Sequence, residues 1–143
     1  MTLLEHLNKN DRFAASIGAQ LTTIREGYAK AELTVEERHL NGANVCQGGV
    51  MYTLADLAFA GVANCHGILT LGISNTITFL KSAKLGDHLT AECTEVLDHQ
   101  KLPPPPWGTD PAQADSNQTV SGDHARLAAP FYSPMKMDGA WKR

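Results

Sequence analysis

Residues 50–64 form a run in which the only ionisable side chains are the carboxylate of Asp56 and the phenol of Tyr52. Its Leu, Ala and Met content, and a length beyond that of an ordinary strand, predict a helix. A helix apolar nearly all round must be buried, so the rest of the chain has to be built to cover it. Gly48-Gly49 opens the run and Asn64 with Gly67 closes it. At 143 residues the chain has room for one domain around one such helix.

The flanking segments read as the cover. Residues 19–26 and 28–35 predict two strands around a turn at Glu26-Gly27, with Ala29, Ala31, Leu33 and Val35 alternating with polar neighbours. Residues 69–80 and 88–97 predict two more, joined at Leu85-Gly86-Asp87. Ahead of them, residues 2–12 predict a short helix with Thr2 as N-cap, a lid or edge cover. His39 to Asn44, with its Asn41-Gly42 dipeptide, is a loop. The class is α+β, in the order helix, two strands, long central helix, strands. Beyond Leu97 the pattern fails: residues 101–108 hold four consecutive prolines, and residues 109–124 are polar and without period. The expected organisation is a core over residues 1–98 and an atypical, Pro- and Gly-rich, partly disordered segment over residues 99–143.

Several function classes drop out. A formal net charge of -3 offers no basic excess for nucleic acid. The N-terminus lacks the basic start and apolar core of a signal peptide, and no run approaches ~18 apolar residues. A soluble, cytoplasmic protein without a membrane partner is expected. Cys46, Cys65 and Cys93 form no CxxC and read as reduced thiols. The histidines show no HxH or HExxH spacing, so no metal site is expected.

The chemistry concentrates on the helix. A carboxylate within a buried apolar helix is costly unless it is paired or has work to do, and burial raises its pKa toward that of a general base. Asp56 is therefore either a base or nucleophile, or the partner of a Lys or Arg from elsewhere. Gly48 and Gly49 leave the backbone N–H groups at the helix start open to a ligand, where the helix dipole favours negative charge and can polarise a carbonyl. The same glycines also suit a sharp loop-to-helix turn. Eight residues at ~1.5 Å rise separate the two features by ~12 Å, whereas a base must come within ~3 Å of the water it activates. If both serve one site, Asp56 must come from a second, antiparallel copy of the helix, giving two equivalent sites per two-fold dimer.

Other residues are weaker candidates. Asn41 can orient water or a carbonyl, or simply form its turn, and Gln47 can do the same or cap the helix. Ser74 and Thr76 lie on an expected strand and can hold water. Lys81 and Lys84 can meet phosphates or form a solvated edge.

The stretch Leu40-Asn41-Gly42-Ala43-Asn44-Val45-Cys46-Gln47-Gly48-Gly49, continued by Thr53-Leu54-Ala55-Asp56-Leu57-Ala58-Phe59-Ala60, resembles the phenylacetic-acid-pathway (PaaI-like) thioesterases of the hotdog fold. Residues 76–80, then Gly86-Asp87 and Leu89-Thr90-Ala91, resemble that family's next strand pair. The resemblance implies an antiparallel sheet wrapped around the long helix, a homodimer or homotetramer, and hydrolysis of small or aromatic acyl-CoA thioesters at the subunit interface. By matching position it implies Asp56 as base or nucleophile, Asn41 positioning water or thioester, and the Gly48 N–H polarising the carbonyl. Gln47, Gly49, Ser74, Thr76, Lys81 and Lys84 are then the substrate-binding candidates, and no cofactor is implied.

The chain departs from the family twice. Gln47 stands where many members have His, an amide that still donates a hydrogen bond. Residues 100–143 do not recognisably supply the last two strands, so the C-terminal strands are expected to be atypical or missing, through a divergent tail or a changed reading frame. A non-catalytic acyl-CoA-binding module with an altered C-terminus is the rival reading. A hotdog dehydratase fits less well, since its His near the helix is absent.

Overall fold

The computed structural model describes residues 1–67, 69–72, 75–95, 116–121 and 125–129, the last two stretches by backbone alone. The chain starts with two short helices, α1 (Leu3–Asn10) and α2 (Arg12–Ser16). Thr2 caps α1 as its sequence predicts. The Glu5 N–H donates to Thr2 Oγ1 (3.2 Å) and the Thr2 N–H to Glu5 Oε2 (2.7 Å), which holds the Glu5 carboxyl below its ordinary pKa. Asp11 is the joint: its N–H closes α1 on Leu7 O, and its Oδ1 accepts from Ala14 N–H to open α2.

Strands β1 (Gln20–Arg25) and β2 (Tyr28–Thr34) follow as an antiparallel hairpin around Glu26-Gly27, with an irregularity between Leu21 and Thr23. β1 is an outer strand of the sheet. Asn8 of α1 covers its edge: Nδ2 donates to Leu21 O (2.9 Å) and Oδ1 accepts from Leu21 N–H (2.8 Å). One amide thus meets the free N–H and C=O of a strand edge. A 3-10 turn over Glu37–His39 leads to the loop, and α3 (Gly48–Ala63) is the long helix, closed by Asn64. Strands β3 (Thr76–Phe79), β4 (His88–Thr94), β5 (Ser116–Ser121) and β6 (Ala125–Ala129) complete one antiparallel sheet in the order β1-β2-β4-β5-β6-β3.

The period-2 pattern sorts the two faces of β2 and β4. Ala29, Ala31 and Leu33 alternate inward beside Cys93, Ala91 and Leu89, their register partners, and all six are buried. Lys30 and Glu32 form an ion pair on the other face, and Tyr28 Oη donates to Glu92 Oε1 (2.7 Å). α3 packs on the inner face, against β1, β2, β4, β5 and β6. The contact is close because the facing residues are small. A methyl group at Gly61 would stand 2.8 Å from the Ala29 Cβ, a clash the backbone-anchored Ala29 cannot relieve by rotation.

Two expectations need correction. Of the strand expected over residues 69–80, the described residues pair as a strand over Thr76–Phe79, and Leu71 before it and Leu80 after it are exposed. Their apolar character therefore does not report inward-facing strand positions. The helix is also not buried all round. Met51, Leu54, Ala55, Leu57, Ala58, Phe59 and Val62 are buried, whereas Gly49 and Asp56 are exposed and Tyr52, Thr53 and Ala60 half-buried. At 3.6 residues per turn those five lie along one stripe, so the helix keeps one face open in the single chain. The atypical ending and disorder expected of residues 99–143 fall largely outside the described residues; the described stretches of that segment, β5 and β6, are strands paired with each other and with β4 and β3.

Candidate active site

The start of α3 is built by the loop before it. Asn41 accepts from Ala43 N–H (2.8 Å) and Val45 N–H (3.4 Å) through Oδ1, while its own N–H donates to Val45 O (2.8 Å). Its side chain is thus the turn former, with only the Nδ2 hydrogens left over for a ligand. The Gln47 N–H donates to His39 O (2.8 Å) and the Cys46 N–H to Ala83 O (2.8 Å), which ties this loop to the segment after β3. Gln47 is the N-cap, its Oε1 accepting from Gly49 N–H. The cap alternative for Gln47 is therefore realised, and it takes up one of the two candidate N–H groups.

The Gly48 N–H is different. It precedes the first helical hydrogen bond, and no described residue accepts from it. A Cβ at position 48 would lie 3.0 Å from the Phe79 Cζ, so the absence of a side chain lets that ring close over the helix start. Phe79 is itself 49% exposed. The result is a polarised N–H at the positive end of a 16-residue helix, walled by an aromatic ring and open on the other side.

Asp56 sits two turns further on, on the open stripe. Among the described residues no Lys, Arg or His pairs with it, so the ion-pair alternative has no support there. The residue is solvent-exposed as a whole, yet neighbouring protein still desolvates its carboxyl. That desolvation raises its pKa above the ordinary carboxylate range, the charge of Asp11 adds to the rise, and a hydrogen bond from Asn75 Nδ2 (3.4 Å) opposes it. Asn75 was not singled out from the sequence. A polar residue 19 positions away, in a segment read as ordinary strand, gives no local signal of that contact.

The remaining candidates divide. Thr76 begins β3 and is exposed; Ser74 lies outside the described residues. Lys81 and Lys84 are exposed on the loop after β3, which the Cys46–Ala83 bond holds beside the Gly48 end of α3. Asp56 and Gly48 belong to one unbroken helix, so the separation of ~12 Å derived from its rise stands.

Comparisons with known proteins point to one class of enzyme. Residues 43–96 match the Thioesterase superfamily family model. A protein of Archaeoglobus fulgidus named "Putative esterase" is 47% identical over 92 residues, 64% of this chain and 60% of that protein. Acyl-coenzyme A thioesterase PaaI of Escherichia coli K12 is 38% identical over 92 residues, 64% of each. The chain thus spans about three-fifths of the length of these curated relatives. The solved E. coli PaaI protein of the phenylacetic acid degradation operon superposes with a TM-score of 0.71 at 26% identity, over 91% of both chains. A thioesterase protein with coenzyme A from Streptococcus pneumoniae TIGR4 shares the fold, with a TM-score of 0.66 at 20% identity over 91% of this chain and 99% of that one. The strand order and the single wrapped helix give this chain the hotdog fold, and over the matched segment it is similar to thioesterases of that fold.

Proposed function

We propose that the chain hydrolyses small or aromatic acyl-CoA thioesters at two equivalent sites, each shared between two copies of the subunit. The observation that carries this reading is the open face of α3, which among the described residues bears an N–H at Gly48 without an acceptor and a carboxylate at Asp56 without a cationic partner. These are the two halves of a hydrolytic site, set too far apart on one helix to meet. In a two-fold pair of antiparallel helices they come together. The thioester carbonyl oxygen accepts from the Gly48 N–H of one copy, and Asp56 of the other takes a proton from the attacking water. The tetrahedral intermediate then collapses with loss of the C–S bond, and the proton passes to the CoA thiolate. In this reading Asn41 Nδ2 orients the carbonyl, and Lys81 and Lys84, exposed on the loop tied to the start of α3, meet phosphates of the coenzyme. The naming of E. coli PaaI as an acyl-coenzyme A thioesterase, and the coenzyme A held by the S. pneumoniae protein, support the substrate class.

The test is release of free CoA thiol from a panel of short-chain, medium-chain and phenylacetyl thioesters. Turnover on at least one of them is expected. A folded protein inactive across the panel would favour the binding module instead.

The same reading implies where the two-fold axis passes. Position 52 is midway between 48 and 56, so an antiparallel pair that joins those ends crosses at Tyr52. The exposed side chains of Leu71, Phe79 and Leu80 are apolar surface that a second copy would remove from water. Tyr52→Arg sets two like charges against each other at the crossing and is expected to yield monomers without turnover. Sedimentation velocity reads this directly, and a Tyr52→Arg protein that stays dimeric would move the axis elsewhere.

A further inference from the structure

We infer that Asn75 is a positioning residue for Asp56, kept for the reaction at the expense of its own hydrogen bonding. The inference rests on the hydrolytic reading above. Asn75 Nδ2 lies 3.4 Å from Asp56 Oδ1, a long contact of the kind that tightens once a substrate is in place. Its other polar atom is the informative one: Asn75 Oδ1 is buried, and no described group donates to it. A buried acceptor left unmet destabilises a fold, and a side chain chosen only for packing would avoid it. The surroundings allow no easy relief. A methyl group at Gly72 would already stand 3.0 Å from Phe59 Cε1 and 3.6 Å from Asn75 Nδ2, so the amide and the ring one turn beyond Asp56 both border the space beside Gly72. Turning the amide over would bury the NH2 group unmet and aim the oxygen at the carboxylate. The orientation present is the one that serves an ionised Asp56. It fixes the carboxylate's direction and favours its charged form against desolvation and the charge of Asp11.

The experiment compares wild type, Asn75→Leu and Asn75→Gln by CoA-thiol release across pH, by melting temperature, and by 13C titration of the Asp56 carboxyl. Asn75→Leu should lose about tenfold in kcat, as expected for a misaligned reacting group. KM should change little, the acid limb and the Asp56 titration should both move to higher pH, and Tm should be unchanged or higher. Asn75→Gln, which keeps an amide donor, should recover part of the kcat. A merely structural Asn75 predicts the opposite pattern: a lower Tm with kcat and the acid limb unmoved. That result, with wild type active, overturns the inference and leaves the thioesterase reading standing. A wild type without turnover removes both the thioesterase reading and the role assigned to Asn75.

Discussion

Asp56→Asn is expected to lower acyl-CoA turnover about a hundredfold or more, with KM little changed and Tm raised. The loss follows from the proposed role: an amide of the same size can still accept from Asn75 but cannot take a proton from water, and general-base catalysis contributes roughly 10²–10⁴-fold. The rise in Tm follows from the pKa. Desolvation, then the charge of Asp11, holds the folded-state value above the ordinary one, so the fold prefers the protonated form. A raised carboxyl contributes stability that is fully present below its unfolded pKa and is lost as pH rises through the folded one. At neutral pH the ionised Asp56 is therefore unfavourable to the fold, and a neutral side chain removes that burden. In the wild type, kcat/KM should fall as pH drops through the same raised pKa, placing the acid limb above the ordinary carboxylate range. Thiol-release rates across pH and a thermal melt check all three. A variant that keeps turnover and melts lower would make Asp56 a structural residue.

How much of this was legible beforehand depends on what each signal reports. The long helix declared itself through composition, and the turns at Glu26-Gly27 and Leu85-Gly86-Asp87 through dipeptides that suit positive φ; Gly27 and Gly86 stand at 68° and 84°. Asp56 was conspicuous because a single carboxylate in an apolar run is rare. The open stripe of α3 and the exposed Leu71 and Leu80 were misread for one common reason. Hydrophobicity marks surface that gains by leaving water, and is silent on whether the cover comes from the same chain. Gln47 illustrates a signal with two readings, since an amide before a Gly-Gly helix start can cap or bind, and only the geometry of the Gly49 N–H separates them. Asn75 was invisible because its contact with Asp56 depends on how the segment before β3 returns across α3. No local period encodes that.

The reach argument yields the sharpest expected result, which concerns two inactive proteins mixed together. Gly48→Pro removes the N–H proposed to polarise the carbonyl and should by itself cost about 10²–10³-fold. The backbone can accept it. Gly48 is the first residue of α3, where proline breaks no helical hydrogen bond, and Gln47 at φ -65°, ψ 134° already has the extended geometry required before proline. The added ring meets Phe79, which is half-exposed and can swing aside. Suppose now that Gly48→Pro and Asp56→Asn subunits are coexpressed. In a hybrid dimer one shared site receives both lesions and the other receives neither. Random pairing of equal amounts makes about half the dimers hybrids with one intact site of two, so turnover should return to about a quarter of wild type. If Asp56 and Gly48 served the same subunit's site, every site would carry a lesion and the mixture would stay as inactive as its parents. Recovery near that fraction would establish that the helix was built to be completed by a second copy of itself.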